Sequence, residues 1–337
     1  MPPLSAPLRG VVIGCGFFSR IQMEAWNRLR DLVTITACCD ADAERAAQFA
    51  RDFEIPKSYS DAAMMLDAQK PQFVDIVTRP DTHRPLAETA AARGIHVLCQ
   101  KPFAPTLEES EALVAACDQA NVRLMVNENW RWQAWYREIH RLLAEDALGA
   151  PRKVTWIHSH NDGFDHNFYR AQPYFADMPR FLVYETLVHY LDTARFLFGE
   201  PTSLRCHTRR QNPRIKGEDR ADIRLYFPSA LEVWIRGTRC GDVYENGAAM
   251  GRCQIDGSRG TLVMMGDGSL YLNSERTPFT PPLEGYRGDS CLATQKHFAL
   301  SLLQSTPFES NGPDYLKSFR LMELCYQSAA TCSTLSV

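Results

Sequence analysis

"LRGVVIGCGFFSRIQMEAWNRLR", residues 8–30, decides the fold of the first half of the chain. Its apolar, β-branched opening stops at Gly14. Ile21, Ala25, Trp26 and Leu29 then recur at helical spacing. Gly14 and Gly16 fit a G-x-G-x-x-G turn, with Ser19 at the third glycine position. The first glycine permits the sharp turn and the second lets a phosphate approach the backbone. The third only eases helix packing, where a small Ser serves. Free N–H groups and the dipole attract an anion at such a helix start. Gly14, Gly16, Phe17 and Phe18 are therefore the expected lining of a dinucleotide site.

The same alternation continues outward. Apolar runs at 33–40, 73–78, 95–100 and 122–127, and a weaker one at 57–59, read as strands. Segments 41–53, 81–93 and 106–121 read as helices. Strands apolar throughout, separated by helices, predict a parallel sheet covered on both faces. Ligands bind beyond the carboxyl ends of such strands. Gly14, Asp40, Thr78 and Lys101 fall at those ends. A carboxylate at Asp40 accepts hydrogen bonds from ribose hydroxyls and repels a 2′-phosphate, which favours NAD; the nearby Arg45 leaves NADP open. His83 has two readings. It lines the cofactor rim, or it is a satisfied histidine at a helix start beside Asp81.

From about residue 128 the rhythm changes to alternating strands with glycine turns: 153–162, 219–227, 229–238, 251–257, 260–266 and 269–273. Helices are expected at 133–146, 184–198, 290–304 and 314–330. This predicts a domain at 1–127 and an α+β domain with a mostly antiparallel sheet at 128–337. "YETLVHYLDTARFLFGEP" (184–201) reads as a helix closed by Gly199 and Pro201. At 100° per residue, Glu185, His189, Asp192 and Phe196 share one face. Read chemically, the stripe is a histidine acid/base flanked by carboxylates. Read structurally, it is a solvated face. Zinc lacks an H-E-x-x-H pattern and a third ligand, so no metal is expected. Asp192 either orients the histidine or pairs with a nearby Arg. His158, His160 and His166 lie near the same region, and alternation puts His158 and His160 on one face. Arg131, between Trp130 and Trp132, sits where an aromatic cluster either stacks on a sugar ring or packs.

Composition narrows the classes further. Apolar content is 45%, charged content 23% and net charge -3, without a basic block. That speaks against nucleic acid or an anionic membrane as partner. No apolar run approaches the ~18 residues of a membrane span. "MPPLSAPLRGVVIG" lacks the order of a signal peptide, and the eleven cysteines are scattered without a C-x-x-C pair. The expectation is a cytoplasmic protein whose Cys15, Cys38, Cys39 and Cys99 are buried hydrophobes.

Four segments, taken in order, resemble the Gfo/Idh/MocA oxidoreductases: the glycine turn, "IVTRPDTHRPLAETAAARGIHVLCQKPFAPTLEES" (76–110), the 184–201 helix and "IDGSRGTL" (255–262). The resemblance implies an N-terminal Rossmann domain and a C-terminal domain with a large open sheet. It implies NAD(P)-dependent oxidation of a secondary hydroxyl on a sugar, cyclitol or sugar acid. It also implies a homodimer or homotetramer assembled through that sheet. Lys101 matches the lysine of the family's E-K-P signature, His189 its acid/base, and Glu185 the first Asp of its helix motif; His160 and Asp162 in "HSHND" partly match its substrate-reaching His-x-Asn, and Asp192 and Arg131 are further candidates for substrate contact. Histidine, with a reference pKa of about 6.5, is the better base near neutrality; lysine serves as a fixed charge, or as a base if burial lowers its pKa. Gln100 stands where the signature has Glu. Two other activities fit the same motifs: a glycosidase or isomerase that oxidises transiently, and a non-catalytic regulator. The Lys101–Pro102 bond is a candidate for cis geometry.

Overall fold

The computed structural model describes residues 4–163, 169, 172–241 and 247–337. Its first sheet has the order β3-β2-β1-β4-β5-β6. These are β1 (Leu8–Ile13), β2 (Val33–Cys39), β3 (Lys57–Tyr59), β4 (Phe73–Ile76), β5 (His96–Gln100) and β6 (Leu124–Asn127). Every pairing is parallel. Helices α1 (Phe17–Asn27), α2 (Ala43–Asp52), α3 (Ala62–Gln69), α4 (Pro80–Ala91) and α5 (Leu107–Gln119) make the connections. Strand order reverses between β1 and β4, which places the ligand edge of a doubly wound sheet at their carboxyl ends. β4, β5 and β6 are buried at every position, which is why they read as continuous apolar runs.

The second sheet has nine strands in the order β14-β13-β12-β11-β7-β10-β9-β8-β15. They are β7 (Pro151–Ser159), β8 (Ser203–Arg209), β9 (Arg220–Tyr226), β10 (Glu232–Thr238), β11 (Arg252–Gly257), β12 (Thr261–Met264), β13 (Leu270–Leu272), β14 (Glu275–Arg276) and β15 (Leu335–Ser336). Only β7 and β10 pair in parallel. In β10, Val233, Ile235 and Gly237 are buried while Glu232, Trp234 and Arg236 alternate outward. β8 was not expected: Leu204 and Cys206 point inward, but Arg205 and His207 break the apolar signal.

The chain forms two compact units, Met1–Asn129 with Cys291–Lys317, and Trp130–Ser290 with Ser318–Val337. A single cut after residue 127 misses the returning segment. Phe298, Ala299, Leu302 and Phe308 belong to the first unit because they complete its core with Trp26, Phe49 and Phe73. They lie on and after α8 (Ser290–Gln304), and α9 (Gly312–Thr331) follows.

One helix departs from expectation in a way that matters for chemistry. The predicted helix from residue 184 is π-helical over Leu182–Leu187, with the Val188 N–H reaching the Val183 carbonyl; α7 (Val188–Phe198) follows. Carboxylate oxygens of Glu218 accept from the N–H groups of Phe181 and Val183, and the Tyr326 hydroxyl accepts from Tyr184 N–H. These distant groups satisfy the helix start, so no local cap was there to read. The wider turn moves Glu185 off the regular 100° stripe that carries His189 and Asp192. π-turns of this kind recur at functional sites.

Candidate functional site

In the first unit, the glycine turn is fixed by the main chain. Gly14 has φ +97°, and a Cβ there would sit 2.4 Å from the Val77 carbonyl oxygen. Only glycine fits. Gly16 caps α1 without a side-chain hydrogen bond, no acid lies in the first turn, and a Cβ at Gly16 would meet nothing within 4 Å. The helix start is therefore uncapped by side chains, with open space beside it, as an approaching pyrophosphate requires. Phe17 is 58% exposed there, while Phe18 packs against the core. Ser19 is fully buried, consistent with a close-packing role.

Asp40 follows β2. Its Oδ2 accepts from the Cys15 N–H at 2.9 Å, and its Oδ1 accepts from Asp42 N–H at 3.0 Å and from Arg45 at 3.2 Å. Arg45 is also paired with Asp42 at 3.2 Å. Two carboxylates thus hold the cation that had left NADP open. The residues present fit a dinucleotide: Gly14 to Phe18 for its phosphates and Asp40 for a ribose.

Thr78 is half-buried and accepts a hydrogen bond from the Thr82 hydroxyl at 2.7 Å. His83 does not line a rim. It is fully buried, with its ring nitrogens 3.1 Å from the Phe103 and Thr78 carbonyls. Burial lowers its pKa. The side chain ties the loop after β4 to the loop after β5, which is the structural alternative of its two readings. Lys101 is half-buried beyond β5, its bond to Pro102 is cis, and its N–H donates to Gln100 Oε1 at 2.6 Å.

In the second unit, His189 is 4% exposed and lies flat on Trp130, with centroids 4.6 Å apart and planes 4° from parallel. Trp130 meets Tyr190 edge-on. Stacking on the indole fixes the imidazole plane. Glu185 is half-buried, and its Oε2 accepts from the Thr186 hydroxyl at 2.6 Å. Arg131 and Asp192, candidates for substrate contact, instead meet each other, which is the arginine pairing that was the second reading of Asp192. Arg131 grips Asp192 with two hydrogen bonds of 2.8 and 2.7 Å, and Ser318 adds a third at 2.7 Å. Both side chains are buried, so each satisfies the other's charge.

His160 lies 4.9 Å from His158, as alternation along β7 predicts for one face. Burial pushes His160 down to about 4, helped by the charges of Arg239 and Arg287. Asp162 is paired with Arg239 at 2.6 Å, yet burial raises its pKa against that pull. Arg239 lies 5.4–5.6 Å from the rings of Tyr169, Phe175 and Phe181. His166 lies outside the described residues. Sequence reading missed Arg239, which sits just past β10 without a motif, and the stacking of Trp130. Among the described residues, no three His, Cys, Asp or Glu side chains converge on a metal-sized point. No helix among them is long and apolar enough to cross a membrane.

A glycine-turn dinucleotide unit joined in one chain to a unit carrying a buried, stacked histidine defines a nicotinamide-dependent oxidoreductase acting on a CH–OH group. The chain belongs to the Gfo/Idh/MocA oxidoreductases: residues 8–128 match that family's NAD-binding Rossmann fold, and 136–263 match its C-terminal domain. It is 38% identical to D-apiose dehydrogenase of Paraburkholderia graminis over 95% of this chain and 87% of that one. It is 34% identical to the D-apiose dehydrogenase of Rhizobium rhizogenes, over 98% and 97%. An oxidoreductase from Agrobacterium radiobacter, solved with NAD+, L-tartaric acid and magnesium, is 33% identical over 98% of both chains, with a TM-score of 0.90.

Proposed function

We propose that this chain oxidises a CH–OH group of an aldose of the D-apiose kind, with NAD+ as acceptor. The observation that carries the reading is similarity to two D-apiose dehydrogenases across nearly the whole chain. Lys101 at the carboxyl end of a parallel strand and a buried His189 supply the polar groups the reaction needs. In balance, the hydroxyl loses its proton, its carbon loses a hydride, and a carbonyl, NADH and H+ result. NAD+, when held by the Gly14–Phe18 turn and Asp40, would supply the hydride acceptor. His189 takes the hydroxyl proton, and its flat seat on Trp130 holds the ring for that transfer. Lys101 places a positive charge on the oxygen as it becomes an alkoxide. Glu185 contacts the sugar, and His160 with Asp162 lines the same region.

Ten buried cysteines, none in a disulfide among the described residues, suit a reducing cytoplasm. The outward face of the nine-stranded sheet, with Trp234 between Lys153 and Arg224, suits contact with a second copy.

Incubation with NAD+ and a panel of aldoses and cyclitols, followed at 340 nm, tests the assignment. D-apiose is expected to give stoichiometric NADH. Product without net NADH would indicate a transient-oxidation enzyme, and binding without turnover a regulator. Lys101→Ala and His189→Ala should each retain NAD+ binding and lower kcat by ~10²-fold.

A further inference from the structure

Behind Lys101, the first unit holds a line of buried polar groups that the mechanism does not use. Asp75, on β4, is fully buried. Trp26 Nε1 donates to its Oδ2 at 2.8 Å. Gln22, on α1, is also fully buried. With its amide turned to suit its neighbours, its nitrogen donates to Asp75 Oδ2 at 2.6 Å and Oδ1 at 3.1 Å. Its oxygen then accepts from Gln100 Nε2 at 2.8 Å and from Asn127 Nδ2 at 2.7 Å. Gln100 Oε1, at the far end, accepts from the Lys101 N–H at 2.6 Å.

We propose that Gln100 is a positioning residue for Lys101, and that Asp75 sets its orientation through Gln22. The direction of the hydrogen bonds carries the argument. A buried carboxylate accepts only, so Asp75 obliges Gln22 to present its nitrogen inward and its oxygen outward. That oxygen needs a donor, and of residue 100's side-chain atoms only an amide nitrogen can supply one. The remaining atom, Oε1, is left facing the main chain of Lys101. Burial raises the Asp75 carboxyl to about 7, so the accept-only carboxylate that orients Gln22 is the form above that pH, and the variants below are compared at pH 8.

A glutamate at position 100 would reverse this line. Its carboxylate would keep the Lys101 N–H but meet the Gln22 oxygen. Turning Gln22 to supply a donor would aim that oxygen at Asp75. Asp75→Asn removes the conflict: an Asn amide can donate to Gln22 while its oxygen still accepts from Trp26. Asn127 can turn as well, since its Oδ1 has no partner in the present arrangement. The glutamine at 100, where the related signature has an acid, is thus matched to the acid at 75.

This inference rests on the catalytic reading of Lys101, and three measurements separate the two. Gln100→Glu, Asp75→Asn and the double variant are compared by thermal unfolding, by the Lys101 N–H resonance in 15N-lysine-labelled protein, and by NADH formation from NAD+ and D-apiose. Gln100→Glu should shift the Lys101 resonance, lower Tm and reduce kcat by about 10- to 100-fold, with NAD+ affinity near the parent's. Adding Asp75→Asn should restore the resonance, Tm and most of kcat. Should Gln100→Glu fail to fold, folding of the double variant is the same expected rescue. A double variant no better than Gln100→Glu overturns the coupling. Parent-like kcat in Gln100→Glu overturns the positioning role. Absence of turnover in the parent with every sugar would refute the dehydrogenase reading alone, and the resonance and Tm cycle would still decide the network.

Discussion

The two units hold their polar residues by different means. In the first, Gly14 and Asp40 are placed by main chain: a left-handed glycine against the Val77 carbonyl and a carboxylate on the Cys15 N–H. In the second, His189, Asp192 and Asp162 are placed by side chains, respectively Trp130, Arg131 and Arg239. Main-chain placement tolerates changes to neighbouring side chains. Side-chain placement transmits them. Damage in the first unit should therefore follow backbone fit, and in the second the loss of a partner.

The largest expected effect is Arg131→Ala. It removes the two-pronged partner of the buried Asp192 carboxylate, leaving only Ser318 and, at 3.9 Å, Arg195, and should cost about 3–5 kcal/mol in urea-unfolding free energy. Replacing Arg131 and Asp192 together with Met and Leu should recover most of it. If Arg131→Ala is neutral, side-chain placement does not govern the second unit. Next comes Gly14→Ala. Backbone strain contributes about 1–3 kcal/mol before the overlap with Val77 is counted. NAD+ affinity, read by fluorescence titration, should fall with stability. A smaller loss is expected for Trp130→Leu. It removes an aromatic pair worth about 0.5–1.5 kcal/mol and frees the His189 ring. kcat should drop while KM stays nearly constant.

The two units also differ in the sign of their pH dependence. Asp75 has its folded pKa raised to about 7, above the unfolded value of about 3.9. Its contribution is complete below pH 4 and is lost as pH rises through 7. His160 has its folded pKa lowered to about 4, below the unfolded value of about 6.5. Its contribution is present above 6.5 and is lost as pH falls toward 4. Stability difference profiles of Asp75→Asn and His160→Gln against the parent should therefore slope in opposite directions between pH 4 and 7. Parallel slopes would contradict both assignments.

The same contrast explains what could be read from the residues alone. Continuous apolar strands and a glycine at a forced φ leave local marks, so the parallel sheet and the positions of Gly14, Asp40 and Lys101 at its strand ends were legible. The cis bond at Pro102 was legible for the same reason. Side-chain partners distant in sequence leave none. The stripe on 184–198 grouped Glu185, His189 and Asp192, but Glu218 and Tyr326 turn its start into a π-helix, and Arg131 takes Asp192. His83 looked ligand-facing because it lies near a strand end, yet two carbonyls claim its ring. The returning segment Cys291–Lys317 reads as an ordinary helix and loop; only its packing assigns it to the first unit.

Hydride transfer from sugar to NAD+, assisted by Lys101 and His189, is tested by supplying D-apiose deuterated at its CH–OH carbons and examining the reduced cofactor by mass spectrometry. One deuterium is expected in each NADH from the parent, and a rate lower by ~10²-fold in Lys101→Ala and in His189→Ala. Product formed without deuterium in the cofactor, or both variants turning over at the parental rate, would contradict it.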